Sequence, residues 1–208
     1  MKKKKLNIGI QGIKGSYHHI VSKSYFEETF HLRECLSFDQ LIEEIIESKI
    51  DKGVMAIENS IAGSIIPNYA LLDQNELIIV GEVYFKIDHN LMALNSQKIE
   101  QINEVYSHPM ALLQCKSFFS QYPHIRLVES EDTADEARRI SENNFKGIAA
   151  IASLEAAKYY NLNVLNKSIQ TIKNNITRFV IIQKKSNKIN IDKIDKASLK
   201  FILDDKRG

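Results

Sequence analysis

The sequence predicts an α/β fold in which mixed sheets are flanked by helices, and three observations predict it. Short apolar runs of strand length alternate with longer helical patterns along the chain. Hydrophobic residues make up 44% and charged residues 26% of 208 positions, an ordinary globular balance, enough for one sizeable core or two small lobes. Glycine and proline number only 8 and 3, so the few glycines mark places where backbone geometry is tight.

Taken in order, the apolar run after Lys2 to Lys5 gives a strand near 6–10, and a helical pattern covers 16–29. A strand near 33–36 precedes a helix over 38–48, whose start Ser37-x-x-Gln40 fits a capping box, the hydroxyl and the amide each taking an orphan backbone N–H. Strand 53–57, helix 66–74 and strands 77–86 and 89–94 follow, then strand 104–107 and a helix over 110–121 with Pro109 at its first position. Strand 125–129, a helix over 133–144 opened by a second box at Thr133-x-x-Glu136, strand 148–152, a helix over 153–160 capped by Ser153, and strands 163–166 and 178–183 complete the pattern. Lys184 to Lys196 scatters isoleucines among Lys, Asn, Asp and Ser and reads as an interdomain linker, drawn at 187–196. Ala197 to Leu203 reads as a fresh strand that must pair with an existing sheet or belong to a further domain.

Several function classes are disfavoured. The 28 basic and 26 acidic residues are dispersed and leave a formal net charge of +2, so no nucleic-acid partner is expected. Leu6 to Ile10 is too short for a signal-peptide core or a membrane span, which predicts a cytosolic protein without a membrane partner. Cys35 and Cys115 are far apart in apolar surroundings and read as buried, reduced thiols. The six histidines lack metal-ligand spacing, no Gly-x-Ser-x-Gly elbow is present, and neither metal nor cofactor is implied.

Polar residues gather where strands end, which is where open α/β folds bind ligands. "IQGIKGSYHH" follows the first strand and brings Ser16 to a helix start, where backbone N–H groups could face an anion or simply form a turn. "GVMAIENSIAGS" ends a strand in Glu58, Asn59 and Ser60, with Gly63 and Ser64 finishing a loop. "EVYSHPMALLQC" sets Ser107 and His108 before Pro109, and Gln114 lies about two helical turns beyond Ser107 on the same side. "NNITRFVII" crowds Asn174, Asn175, Thr177 and Arg178 before a buried apolar run, a preface that a core strand does not need.

These stretches, with "GIAAIAS" and in this order over residues 6 to 183, resemble the catalytic domain of prephenate dehydratases. The resemblance implies a two-lobed α/β fold similar to type II periplasmic binding proteins, with the active cleft between lobes. Lobe one would hold 1–82 and 172–186 and lobe two 83–171, the chain crossing near Gly81 to Lys86 and returning near Ile169 to Arg178. Residues 197–208 resemble the first strand of the ACT domain that binds phenylalanine in the family, which implies that this chain alone does not respond to phenylalanine.

Carried over by position, the resemblance makes Thr177 the hydrogen-bond donor to the departing hydroxyl, acting with Asn59, Ser107 or Gln114. Glu58 would orient that network or be the acid itself. Arg178 would grip a substrate carboxylate, helix starts near Ser16 and Ser64 could hold the other, and Phe179, Ser60, Gly63, His108 and Asn175 would complete the substrate site. Met110 stands where many members have glutamine, and His18 where a small hydroxyl residue is usual. The substrate implied is prephenate, or its amino analogue arogenate, or a small molecule bound without chemistry; the assembly implied is a homodimer or homotetramer.

Overall fold

A computed structural model describes residues 5–27, 29–75, 77–185, 196, 197, 199 and 201. The first sheet contains β1 (Asn7–Gln11), β2 (His31–Cys35), β3 (Lys52–Asn59), the two-residue β4 (Gly63–Ser64), β5 (Leu77–Lys86) and β11 (Ile176–Lys184). The second contains β6 (Asn90–Ala93), β7 (Glu104–Ser107), β8 (Arg126–Glu129), β9 (Ile148–Ala152) and β10 (Asn163–Asn166). Around them lie α1 (Tyr17–Tyr25), α2 (Phe38–Ile46), α3 (Ile66–Gln74), α4 (Pro109–Phe119), α5 (Thr133–Asn143) and α6 (Leu154–Tyr159), and a short 3-10 turn at Ile99–Gln101 that the sequence pattern did not suggest.

Strand order is β2-β1-β3-β11-β5 in one sheet and β10-β6-β9-β7-β8 in the other. In the first, β1 runs parallel to β2 and β3, while β11 is antiparallel to both β3 and β5. In the second, β7 is parallel to β8 and β9, and β6 is antiparallel to β9 and β10. The chain leaves the first sheet after Lys86, enters the second at Asn90, and returns between Asn166 and Ile176. Two mixed sheets joined by a double crossing form a two-lobed arrangement. The boundary drawn at 82/83 falls inside β5, because Glu82 to Lys86 continue the ladder with β11.

Each sheet is apolar on both faces, so each lobe has two clusters. On the first sheet Met55, Ile57, Val180 and Ile182 pack under Leu41, Ile42 and Ile45 of α2, and Ile8, Val54, Phe179 and Ile181 pack under Val21 of α1. On the second, α4 contributes Ala111, Leu112, Cys115 and Phe119 to one face, a spacing that keeps one side of the helix turned inward. The other face meets Ala134, Ala137 and Ile140 of α5, whose small side chains let the helix approach Ala150 and Ala152 closely. Both cysteines are buried and free.

Several local details depart from the sequence pattern. Helix α1 stops at Tyr25 and not at 29, since Phe26 caps it and turns its ring onto Tyr25 and Phe30. The second capping box does not form: Asp132 Oδ1 accepts from Ala134 N and Asp135 N, both at 2.8 Å, so a carboxylate one residue earlier caps α5. At α2, Ser37 Oγ accepts from Gln40 N at 3.1 Å, but Gln40 Oε1 reaches past Ser37 to Leu36 N. Gly63 and Ser64, expected in a loop, pair with Asn59 and Glu58. The strand expected over Ala197 to Leu203 lies largely outside the described residues; Leu199 and Phe201 are exposed and in no regular element.

Candidate active site between the lobes

The polar residues of β3 and β11 lie inside strands, and a bulge decides which of them meet. Phe179 pairs with Ala56, but the next pairs are Arg178 with Glu58 and Thr177 with Asn59, so Ile57 has no counterpart. Side chains alternate along a strand, so an unbroken β3 would put Glu58 on the Ala56 face and Asn59 on the other. The extra residue reverses this: Asn59 joins the face of Thr177 and Phe179, and Glu58 joins that of Arg178.

Asn59 is held in one orientation. Its Oδ1 accepts from Ile61 N and Ala62 N at 3.0 and 2.9 Å, which turns the amide nitrogen toward β11. From there Nδ2 donates to Asn175 Oδ1 at 2.7 Å and to Thr177 Oγ1 at 2.9 Å. Asn175, fully buried, donates in turn to Gln114 Oε1 at 2.8 Å, and the same oxygen meets His89 Nε2 at 2.9 Å. The network therefore joins β3, β11, α4 and the outgoing crossing, and links both lobes. The side chains of Asn59, Asn175, Thr177, Gln114 and His89 in it are amides, a hydroxyl and an imidazole.

Thr177 and Gln114 each carry hydrogen with no acceptor among the described residues. Thr177 Oγ1 accepts from Asn59, and its own hydrogen is unclaimed on a side chain that is 7% exposed. Gln114 directs its oxygen at Asn175 and His89, so its amide nitrogen faces elsewhere on a partly exposed side chain. Both donors suit an oxygen-rich ligand.

Other expected site residues lie apart from this network. Glu58 does not orient it: the carboxylate is on the opposite face, 47% exposed, and 3.8 Å from Arg178. Arg178 is bound by Glu82 at 2.8 and 2.9 Å and stacks near Tyr84, and Glu82 also pairs with Lys196, so this guanidinium sits in a surface ion-pair group. The Glu82 carboxylate is pulled below the usual range, first by Lys196 and then by Arg178. Ser107 is fully buried and donates to Ile151 O at 2.7 Å, tying β7 to β9. Phe179, 2% exposed, is core.

Ser60 bridges the strands, donating to Asn174 O and accepting from Ile176 N. Gly63 adopts φ +82° in an exposed turn, and Ser64 does not cap α3, whose cap is Ile65. His108 accepts from Met110 N at 3.2 Å as the cap of α4, and burial lowers its pKa.

The loop before α1 has its polar groups committed. Ser16, 4% exposed, accepts from His19 N, and Gly15 N donates to His19 Nδ1 at 3.1 Å. The loop is pressed against the second lobe instead of facing an anion: Ser153 Oγ donates to Gly15 O at 2.6 Å and Tyr160 Oη to Lys14 O at 2.7 Å. Gly15 has φ +88°, and a Cβ there would stand 2.8 Å from Ala156 Cα. His18 has a structural position. β1 no longer pairs with β3 beyond Val54, and the freed Ala56 N–H and C=O are taken by His18 Nε2 at 3.3 Å and Asn68 Nδ2 at 2.7 Å.

Sequence reasoning passed over His89, Asp88 and Gln170. The two crossings clasp each other through them: His89 N donates to Gln170 Oε1 at 2.9 Å, Gln170 Nε2 to Asp88 Oδ1 at 2.8 Å, and Ile169 N to His89 O at 2.8 Å. The signal was present in "FKIDHN", a polar group after an apolar run like those that marked the other segments.

The chain is 35% identical over 193 residues to a bifunctional chorismate mutase/prephenate dehydratase of Buchnera aphidicola, covering 91% of this chain and 50% of that protein. It is 39% identical over 207 residues to arogenate dehydratase 2 of Petunia hybrida, covering 98% of this chain and 51% of that one. It thus spans about half the length of these curated relatives. The fold matches a prephenate dehydratase of Arthrobacter aurescens, solved in complex with L-Phe, with a TM-score of 0.77 at 21% identity over 86% of this chain and 60% of that one. A family model described as prephenate dehydratase matches residues 8–187, and the chain belongs to that family.

Proposed function

We propose that this chain converts prephenate to phenylpyruvate, expelling water and carbon dioxide together, in phenylalanine biosynthesis. The observation that carries the reading is the hydroxyl hydrogen of Thr177, unclaimed among the described residues, at the end of an amide network drawn from both lobes. As the ring carboxylate leaves as carbon dioxide, its bonding electrons complete the aromatic ring and the C–O bond opposite breaks. Hydroxide character develops on the leaving oxygen, and a positioned donor there stabilises the transition state more than the ground state. Thr177 Oγ1–H is that donor. Its oxygen accepts from Asn59 Nδ2, which strengthens the hydroxyl as a donor, and solvent supplies the proton that turns hydroxide into water. On this reading Gln114 Nε2 donates to a substrate oxygen from the second lobe.

Arogenate is the second substrate reading, favoured by the 39% identity to the Petunia arogenate dehydratase. The protein acts as a homodimer or homotetramer in the cytosol on this reading; no helix among the described residues is long and apolar enough to cross a membrane. Incubation with prephenate or arogenate, followed by detection of phenylpyruvate or phenylalanine, tests the proposal. A no-enzyme control is required because prephenate decomposes slowly in acid. Absence of both products above that control refutes the reading.

A further inference from the structure

We infer that His89 is a positioning residue for this site: its imidazole N–H sets the orientation of Gln114 and, through Asn175 and Asn59, the alignment of the Thr177 hydroxyl. The inference rests on the dehydratase reading for its kinetic consequence and on hydrogen-bond geometry for its structural one. Gln114 Oε1 already accepts from Asn175 Nδ2, a group that cannot accept in return. The contact of the same oxygen with His89 Nε2 at 2.9 Å is therefore a donation from the imidazole, which fixes the Nε2–H tautomer. Two donors converge on one amide oxygen, so the Gln114 amide cannot flip without setting its N–H groups against both. Its nitrogen is thereby kept on the partly exposed side.

The other ring nitrogen shows that the position is not chosen for packing alone. His89 is 5% exposed, and its Nδ1 is buried with no hydrogen-bond partner among the described residues. A buried polar atom without a partner is destabilising, and an apolar ring packed edge-on against Tyr17 at the same 6.2 Å would avoid it. Burial, the leading influence, lowers the His89 pKa and keeps the ring neutral, against the opposing influence of the Gln114 bond. The backbone of His89 is held independently, by Gln170 Oε1 and Ile169 N, so the side chain can be changed without releasing the crossing.

The test uses His89→Phe, which keeps a ring and removes the donor, and His89→Gln, which restores an N–H near the same place. With prephenate, His89→Phe should lower kcat about a hundredfold, the effect of a misplaced reacting group, with KM changed less than threefold. His89→Gln should recover kcat to within about tenfold of the parent. A His89→Phe protein that turns over within threefold of the parent overturns the inference. Nuclear magnetic resonance supplies an arm that does not depend on the substrate. The unmodified protein should show the Nε2–H tautomer, and the side-chain amide signals of Gln114 and Asn175 should move in His89→Phe and stay in His89→Gln. An Nδ1–H tautomer, or amide signals unmoved by loss of the imidazole, overturns the inference even if the parent proves inactive on prephenate; inactivity with the expected tautomer and shifts refutes the dehydratase reading alone.

Discussion

Replacing Thr177 by valine removes one hydroxyl and little else. The two side chains share shape and β-branching, so the residue retains its strand preference and its 7% exposed packing on the face of Phe179. Asn59 Nδ2 loses its 2.9 Å acceptor but keeps Asn175 Oδ1 at 2.7 Å, and Ile176 O is already within 3.4 Å. The fold should lose about 1 kcal/mol, one ordinary hydrogen bond, which for a domain of this size lowers Tm by roughly 2–4 °C. Loss of a donor aimed at developing negative charge costs ~3 kcal/mol, on the order of a hundredfold in kcat. Rate should therefore fall far more than stability. Steady-state formation of phenylpyruvate from prephenate, with thermal melting of the same preparations, measures both. Thr177→Ser, which restores a donor at the same atom, should regain most of the turnover. Turnover by Thr177→Val within threefold of the parent would refute the assignment of this hydroxyl.

Three further outcomes follow from other parts of the structure. Gly15→Ala combines a left-handed φ of +88° with a Cβ 2.8 Å from Ala156 Cα; urea unfolding should show a loss of about 2 kcal/mol, and a variant as stable as the parent would contradict the packed seam. Burial lowers the His18 pKa from 6.5 to about 4, so the unfolded chain binds a proton more readily over that interval. The His18 contribution is complete above pH 6.5 and drains as pH falls toward 4, by about 2 kcal/mol once the partly exposed ring edge is allowed for. His18→Gln, still able to accept from Ala56 N, should show that much less loss between pH 7 and pH 4, and equal slopes would be inconsistent with a neutral packed imidazole. Glu58→Gln should keep turnover within about tenfold, because a half-exposed carboxylate 3.8 Å from Arg178 on the far face of the sheet contributes at most about 1 kcal/mol. A hundredfold fall would show that the carboxylate reaches the substrate.

Much of the architecture was legible because alternation and length are strong local signals. The apolar cores of β1, β3, β9 and β11 fall where short runs of Ile, Val and Ala lie, and α4 begins where Pro109 marks it. The meeting of Asn59, Asn175, Thr177 and Gln114 came from segments that each place polar groups beyond an apolar run. Glu58 and Ser107 show where such reading fails. Glu58 and Asn59 are adjacent and equally polar, and only the extra residue at Ile57 decides which one turns toward Thr177; a bulge has no signature in a run such as Val-Met-Ala-Ile. Ser107 has the composition of a site residue, but Ile151 O lies beside it, a neighbour set by the pairing of β7 with β9. Arg178 likewise met its partner across β5, through a register that local sequence does not encode.

The clasp between the crossings has a mechanical consequence. Gln170, Asp88 and His89 bind the outgoing and returning segments into a stiff axle, and the hydrogen-bonded chain from Asn59 to Gln114 reaches it at His89 Nε2, 2.9 Å from Gln114 Oε1. Near a pivot, rotation of one lobe produces little translation, so the alignment of the donors tolerates breathing of the outer rims. The loop of Gly15 adds a second tie beside that axle, through Ser153 Oγ to Gly15 O at 2.6 Å and Tyr17 Oη to Asp88 O at 2.6 Å. The reactive centre can therefore keep its shape while the lobes flex about the crossings.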